Sequence, residues 1–172
     1  MAEGTKARIL EAALALFAQN GYLGTSMSDI AGQLGITKAA LYKHYASKQE
    51  ILERILERMN EMDDERAKAY EMPETAPDGF AEAYLHTPVE KIRTYSAAQF
   101  DHWTKEPFAA NFRKMLTLEQ YRDPALARLY QNYLAAGPLA YMAAIFRKLT
   151  DSDQAAMELA LAFYGPMYLL YS

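Results

Sequence analysis

Apolar residues recur along this chain at the three-to-four-residue spacing of amphipathic helices, and no run alternates as a half-buried strand would. Valine, a strong strand former, occurs once, at Val89. An all-α fold follows. Ile9, Ala13, Leu16 and Phe17 mark a first helix over about Thr5–Asn20, which Gly21 closes. Ser26 with Asp29 three residues on forms a capping-box pattern for a short helix to about Leu34, stopped by Gly35. Thr37 is placed to cap a third helix over roughly Lys38–His44, and Ser47 with Glu50 opens a fourth. The fourth carries Ile51, Leu52, Ile55, Leu56 and Met59 and runs to about Met72, where Pro73 and Pro77 break it.

Residues 73–87 read as a linker with one helical turn near Phe80–Leu85. Thr87, Pro88 and Glu90 then signal a helix that continues to Lys105. Pro107 starts another to about Gln120. Asp123-Pro124 starts a long one to about Leu149, with a kink or break at Gly137-Pro138. A last helix follows Thr150–Asp153. It ends at Tyr171-Ser172 with no polar cap, so either the chain is clipped there or the apolar end is buried by something.

Composition narrows the class. With 172 residues, 51% hydrophobic and 23% charged, the chain is neither disordered nor low-complexity. There is no cysteine, which removes disulfides and thiolate chemistry and suits a cytoplasmic location. Lys6 and Arg8 precede an apolar stretch as in a signal peptide, but Glu11 interrupts it and the spacing is helical. The net charge is -4, yet residues 1–48 hold five basic and three acidic side chains. A mildly basic head on an acidic body suits a protein that touches phosphates at one end, although imbalances of this size also arise on ordinary solvated surfaces. No catalytic nucleophile or paired acid and base stands out, so no enzyme activity is expected. His86 and His102 lack carboxylates at metal-ligand spacing, so neither a metal nor any other cofactor is expected.

Residues 25–44 have the physical marks of a helix-turn-helix. Ala31 is small enough for two short helices to cross, Gly35 can take the positive φ of a tight turn, and Ile30, Leu34, Ile36 and Leu41 supply a shared core. The second helix then turns Lys38, Lys43 and the Tyr42 hydroxyl outward, as a recognition helix must. An ordinary helical hairpin with a solvated basic face fits the same local pattern.

The wider run resembles the DNA-binding domain of the TetR family of transcriptional repressors. The resemblance rests on Ile9-Leu-Glu-Ala-Ala, Leu16-Phe17, Asn20-Gly21-Tyr22, Thr25, Ile30-Ala31, Gly35-Ile36-Thr37-Lys38, Leu41-Tyr42, His44-Tyr45, Ser47-Lys48, Glu50 and Leu52, under a third of the chain. It implies an N-terminal three-helix helix-turn-helix domain over residues 1–48, with a fourth helix joining it to a helical ligand-binding and dimerisation domain over 49–172. It further implies that Thr25, Tyr42 and Lys48 hold phosphates, that Ser28, Lys38, Ala39 and Lys43 read base edges, and that Thr37 and His44 lie in the same contact surface. Ala39-Ala40 stands where the family often has glycine and threonine, which leaves the operator sequence open.

In such proteins the body encloses an effector pocket, and Tyr95, Phe100, Trp103, Phe112, Tyr121, Tyr130 and Tyr133 are the candidates to line it, although for any single one of them core packing is the stronger account. Leu139, Met142, Ile145 and Phe146, with Leu159, Phe163, Met167 and Leu170, are the candidate dimer seam. The expectation is a homodimeric repressor that a small molecule releases from a palindromic double-stranded DNA operator, with no membrane partner. A ligand-independent architectural or division-control protein is the first alternative; an all-α enzyme or carrier is the second.

Overall fold

The computed structural model describes residues 2–73 and 79–171, and among them every regular element is a helix. The elements are α1 (Ala2–Asn20), α2 (Met27–Gln33), α3 (Lys38–Tyr42), α4 (Lys48–Ala69), α5 (Phe80–Leu85), α6 (Val89–Lys105), α7 (Pro107–Glu119), α8 (Pro124–Leu134), α9 (Ala136–Phe146) and α10 (Asp153–Leu169). The expected break at Pro77 lies outside the described residues. No helix among the described residues is long and apolar enough to cross a membrane.

The starts and stops follow local chemistry. Ser26 and Asp29 form a reciprocal capping box, and Thr37 caps α3 by accepting the Ala40 amide at 3.1 Å. At α4 the Ser47 hydroxyl accepts the Glu50 amide at 3.1 Å, while the Glu50 carboxylate reaches back to the amide of Ala46 at 2.5 Å. α4 stops three residues short of the expected end, because Glu71 turns into the left-handed region at φ 48 and the Met72 amide donates back to the Ala67 carbonyl at 2.9 Å.

The expected long helix from Pro124 is divided, and the cause is Pro138. A proline ring inside a helix clashes with the carbonyl four residues earlier, here Leu134, where α8 ends. That carbonyl instead accepts the Tyr164 hydroxyl of α10 at 2.9 Å.

Packing groups the chain into two compact units. One runs through Asp63 and includes Glu106–Ala127; the other holds Asp64–Lys105 and Arg128 onward. In the first, α1 lies against α7 and α2. Ile9, Ala13, Leu14 and Phe17 of α1 are fully buried, as are Ala109, Phe112, Met115 and Leu116 of α7, with Ile30, Leu41, Ile51 and Ile55 completing the core. α7, expected in the body, thus belongs to the unit that carries the helix-turn-helix. In the second unit α9 packs along α10 and against α5. Ile145 is buried there with Met72, Ala81 and Tyr84, which removes it from the expected dimer seam.

Candidate nucleic-acid interface

The interface begins with the turn between α2 and α3. Gly35 sits at φ +66, and the Ile36 amide donates to the Ala31 carbonyl at 3.0 Å, so the chain reverses within a few residues. Leu41 is the buried anchor of α3. At 100° per residue Ala39 and Lys43 fall opposite Leu41, while Tyr42 and Lys38 flank it at about 100° and 60°; all four are exposed, as are Thr37 and Ser28. His44 is half-buried just beyond the helix. Lys38 lies 5.8 Å from the centre of the Tyr42 ring, one turn along. The Tyr42 side chain is 45% exposed, so its hydroxyl is presented to a partner rather than to the core.

Two expected phosphate ligands are otherwise engaged. Thr25 is buried and its hydroxyl donates to the Gly21 carbonyl at 2.9 Å. A hydroxyl has one hydrogen and a phosphate oxygen only accepts, so in the DNA-free chain the Thr25 hydrogen is spent on bracing the loop. Lys48 is half-buried and donates to the carbonyls of Tyr22 at 2.5 Å and Thr25 at 2.7 Å, with its ammonium 4.4 Å from the Tyr22 ring centre. Two of its three N–H donors are therefore spent on the loop that leads into α2. Burial pushes its pKa down, against the nearby charges of Glu119 and Asp29, which raise it. Tyr22 donates in turn to Gln49 at 3.0 Å, and burial raises its own pKa.

Glu119 carries no signal in the sequence that marks it for this surface. The last residue of α7 is completely buried, and its Oε1 accepts the Leu23 amide at 3.4 Å and lies 3.8 Å from Arg122. Nothing in local spacing joins residue 119 to residue 23.

The expected effector residues separate. Phe112 is wholly buried in the unit that carries the helix-turn-helix, and Tyr121 in the same unit is 89% exposed, so neither lines a site in the second unit. Tyr95, Phe100, Trp103, Tyr130 and Tyr133 do belong to the second unit. Trp103 lies 6.5 Å from Tyr133 and 6.4 Å from Tyr171, ring centre to ring centre, and Phe100 stacks on Tyr171 at 5.9 Å. Tyr130 and Tyr168 share a hydroxyl contact of 2.5 Å. Tyr95 accepts from Gln99, which accepts from Arg66 at 2.6 Å. Beside Trp103 stands His102, whose spacing in the sequence offers no metal site. It is buried, its Nε2 has no hydrogen-bond partner, and burial with the Arg66 charge pushes its pKa down to about 4.

Residues 9–55 match the family described as bacterial regulatory proteins, tetR family. The transcriptional regulator TtgR of Pseudomonas putida is 37% identical over 70 residues, 41% of this chain and 33% of that protein. IcaR of Staphylococcus epidermidis, a negative regulator of the biofilm operon icaADBC, is 42% identical over 52 residues, 30% of this chain and 28% of that one. These matches span about a third of the length of the curated relatives. A solved Clostridium perfringens structure, described as a fatty acid metabolism regulator, shares the fold at a TM-score of 0.62 and 22% identity, covering 95% of this chain and 83% of that one. The likeness to the tetR family of bacterial regulatory proteins is thus carried by residues 9–55, the part of the chain that holds the helix-turn-helix.

Proposed function

We propose that the protein is a sequence-specific DNA-binding transcriptional regulator that acts as a homodimeric repressor on a palindromic operator and leaves it when a small molecule binds the second unit. The observation that carries this reading is the exposed face of α3, where Lys38, Ala39, Tyr42 and Lys43 project beside Thr37 from a capped helix anchored by Leu41. Ser28 and His44 extend the contact surface. Tyr42 and His44 reach phosphates, while Ser28, Lys38, Ala39 and Lys43 meet base edges. Repression is the direction named for the matched IcaR.

Dimerisation rests on the apolar residues that α10 leaves exposed, among them Leu159, Phe163, Leu169 and Leu170. A second copy offering the same pair of helices covers them as a four-helix bundle and sets the spacing of the two recognition helices. The effector site draws on Tyr95, Phe100, Trp103, Tyr130 and Tyr133. A ligand that prefers a dimer of different spacing shifts the population away from the docked state.

Selection of bound sequences from a random DNA pool at physiological salt tests the reading. A two-fold symmetric motif supports it, and no enrichment overturns it. Lys38→Ala should then change the selected motif. Tyr42→Phe should weaken binding to all sequences and lower the salt slope by about one unit.

A further inference from the structure

The loop Gly21–Thr25 joins α1 to the helix-turn-helix, and two buried or half-buried charges grip it. Glu119, from the end of α7, approaches its amide side at Leu23. Lys48, the first residue of α4, takes its carbonyl side at Tyr22 and Thr25. The loop comes so near the carboxylate that a Cβ on Gly21, itself at φ +81, would lie 2.2 Å from Glu119 Oε1. Glycine there serves the approach as well as the end of α1.

A stability role does not explain this carboxylate. Its Oε2 is buried without a hydrogen bond, and Oε1 meets the Leu23 amide and Arg122 only at the long distances of 3.4 and 3.8 Å. A buried, poorly satisfied charge costs stability, and an apolar side chain of similar volume is the more stable occupant. What the charge does supply is direction: it attracts the Leu23 amide and, across the loop, the Lys48 ammonium. The backbone between them sets where α2 begins, and through the Gly35 turn where α3 points.

We propose that Glu119 is a positioning residue for DNA reading, which with Lys48 clamps the Gly21–Thr25 loop and so fixes the direction in which the helix-turn-helix leaves α1. The proposal rests on the DNA-binding reading for its consequence but not for its geometry.

The test compares the unaltered full chain with Glu119→Leu and the nearly isosteric Glu119→Gln, all at a temperature where each is folded. Amide hydrogen exchange reads the clamp without DNA. In Glu119→Leu the amides of residues 23–36 should exchange at least about tenfold faster, while those of residues 9–17 stay within about threefold. Affinity for the selected sequence should fall about tenfold, affinity for random DNA should stay within about twofold, and Glu119→Gln, which keeps an acceptor for Leu23 but loses the charge that draws Lys48, should recover only part of the loss. Unchanged exchange at residues 23–36, or a uniform rise that includes α1, overturns the clamp. Faster loop exchange with an unchanged ratio of selected to random binding overturns the positioning role. If the unaltered chain selects no DNA, the DNA-reading function falls together with this positioning role, and the exchange result decides the clamp by itself.

Discussion

In the unit that carries the helix-turn-helix, the polar side chains around the turn and the helix starts answer the backbone; in the second unit, a set of tyrosines with Gln99 and Arg66 answer one another. Ser26, Thr37, Ser47, Thr25 and Lys48 all bond to amides or carbonyls. Across the divide, Tyr130 meets Tyr168, Tyr141 donates to Tyr84 at 3.0 Å, and Arg66, Gln99 and Tyr95 form a chain. The first arrangement fixes the path of the chain, as a surface that must match the spacing of DNA requires. The second holds polar atoms inside an aromatic interior, where each must find its partner among the side chains around it.

The sharpest way to break this comparison is to move a residue from one unit's account to the other's. If Phe112 is core of the DNA-facing unit, Phe112→Ala should cost about 3–5 kcal/mol in denaturant unfolding, because a fully buried ring leaves a cavity that α1 and α7 cannot close. Tyr121→Ala, at an exposed position, should stay within about 0.5 kcal/mol. A loss under about 1 kcal/mol for Phe112→Ala would return it to the candidates for an adaptable pocket.

The next effect sharpens the picture of the second unit. His102 is held neutral, with its pKa lowered from 6.5 to about 4. Between those values the unfolded chain binds more protons than the folded one, so stability is complete above about pH 6.5 and falls as the pH drops toward 4. The loss from this one group is at most about 3 kcal/mol. Melting temperatures recorded from pH 7 to pH 4 for the unaltered chain and for His102→Gln should diverge as the pH falls, with the variant less sensitive. Parallel curves would show that His102 titrates normally and that the interior around Trp103 is open to water.

The same contrast explains what could be read from the sequence. Capping pairs such as Ser26 with Asp29 act across three residues, so spacing alone placed α2, α3 and the start of α4, and the exposed face of α3 came with them. Pro138 announced a break, though its effect appears at Leu134, one turn earlier. The partners of Lys48 were not legible, because a lysine at a helix start looks the same whether it faces phosphate or the carbonyls of Tyr22 and Thr25. Glu119 and the tyrosine pairs were invisible for a related reason: they join residues 38 to 96 positions apart, and no local pattern encodes such a meeting. Phe112 and Tyr121 were misplaced because an aromatic residue on an amphipathic helix declares burial or exposure only once its neighbour is known.

The smallest effects test whether backbone geometry, rather than contact, governs the helix-turn-helix. Gly32 and Gly35 stand three residues apart, and a Cβ at either would meet nothing within 4 Å, so packing predicts that alanine is harmless at both. Backbone conformation separates them. Gly35 at φ +66 holds a left-handed turn that costs a side-chain-bearing residue about 1–2 kcal/mol, and Gly35→Ala should destabilise by that much. Gly32 is inside α2, where alanine is the better helix former, and Gly32→Ala should stabilise by about 0.5–1 kcal/mol. Denaturant midpoints would shift in opposite directions for the two variants. A shift of the same sign in both would mean that something beyond the backbone holds this turn, and the distinction between a backbone-directed head and a side-chain-directed body would lose its simplest support.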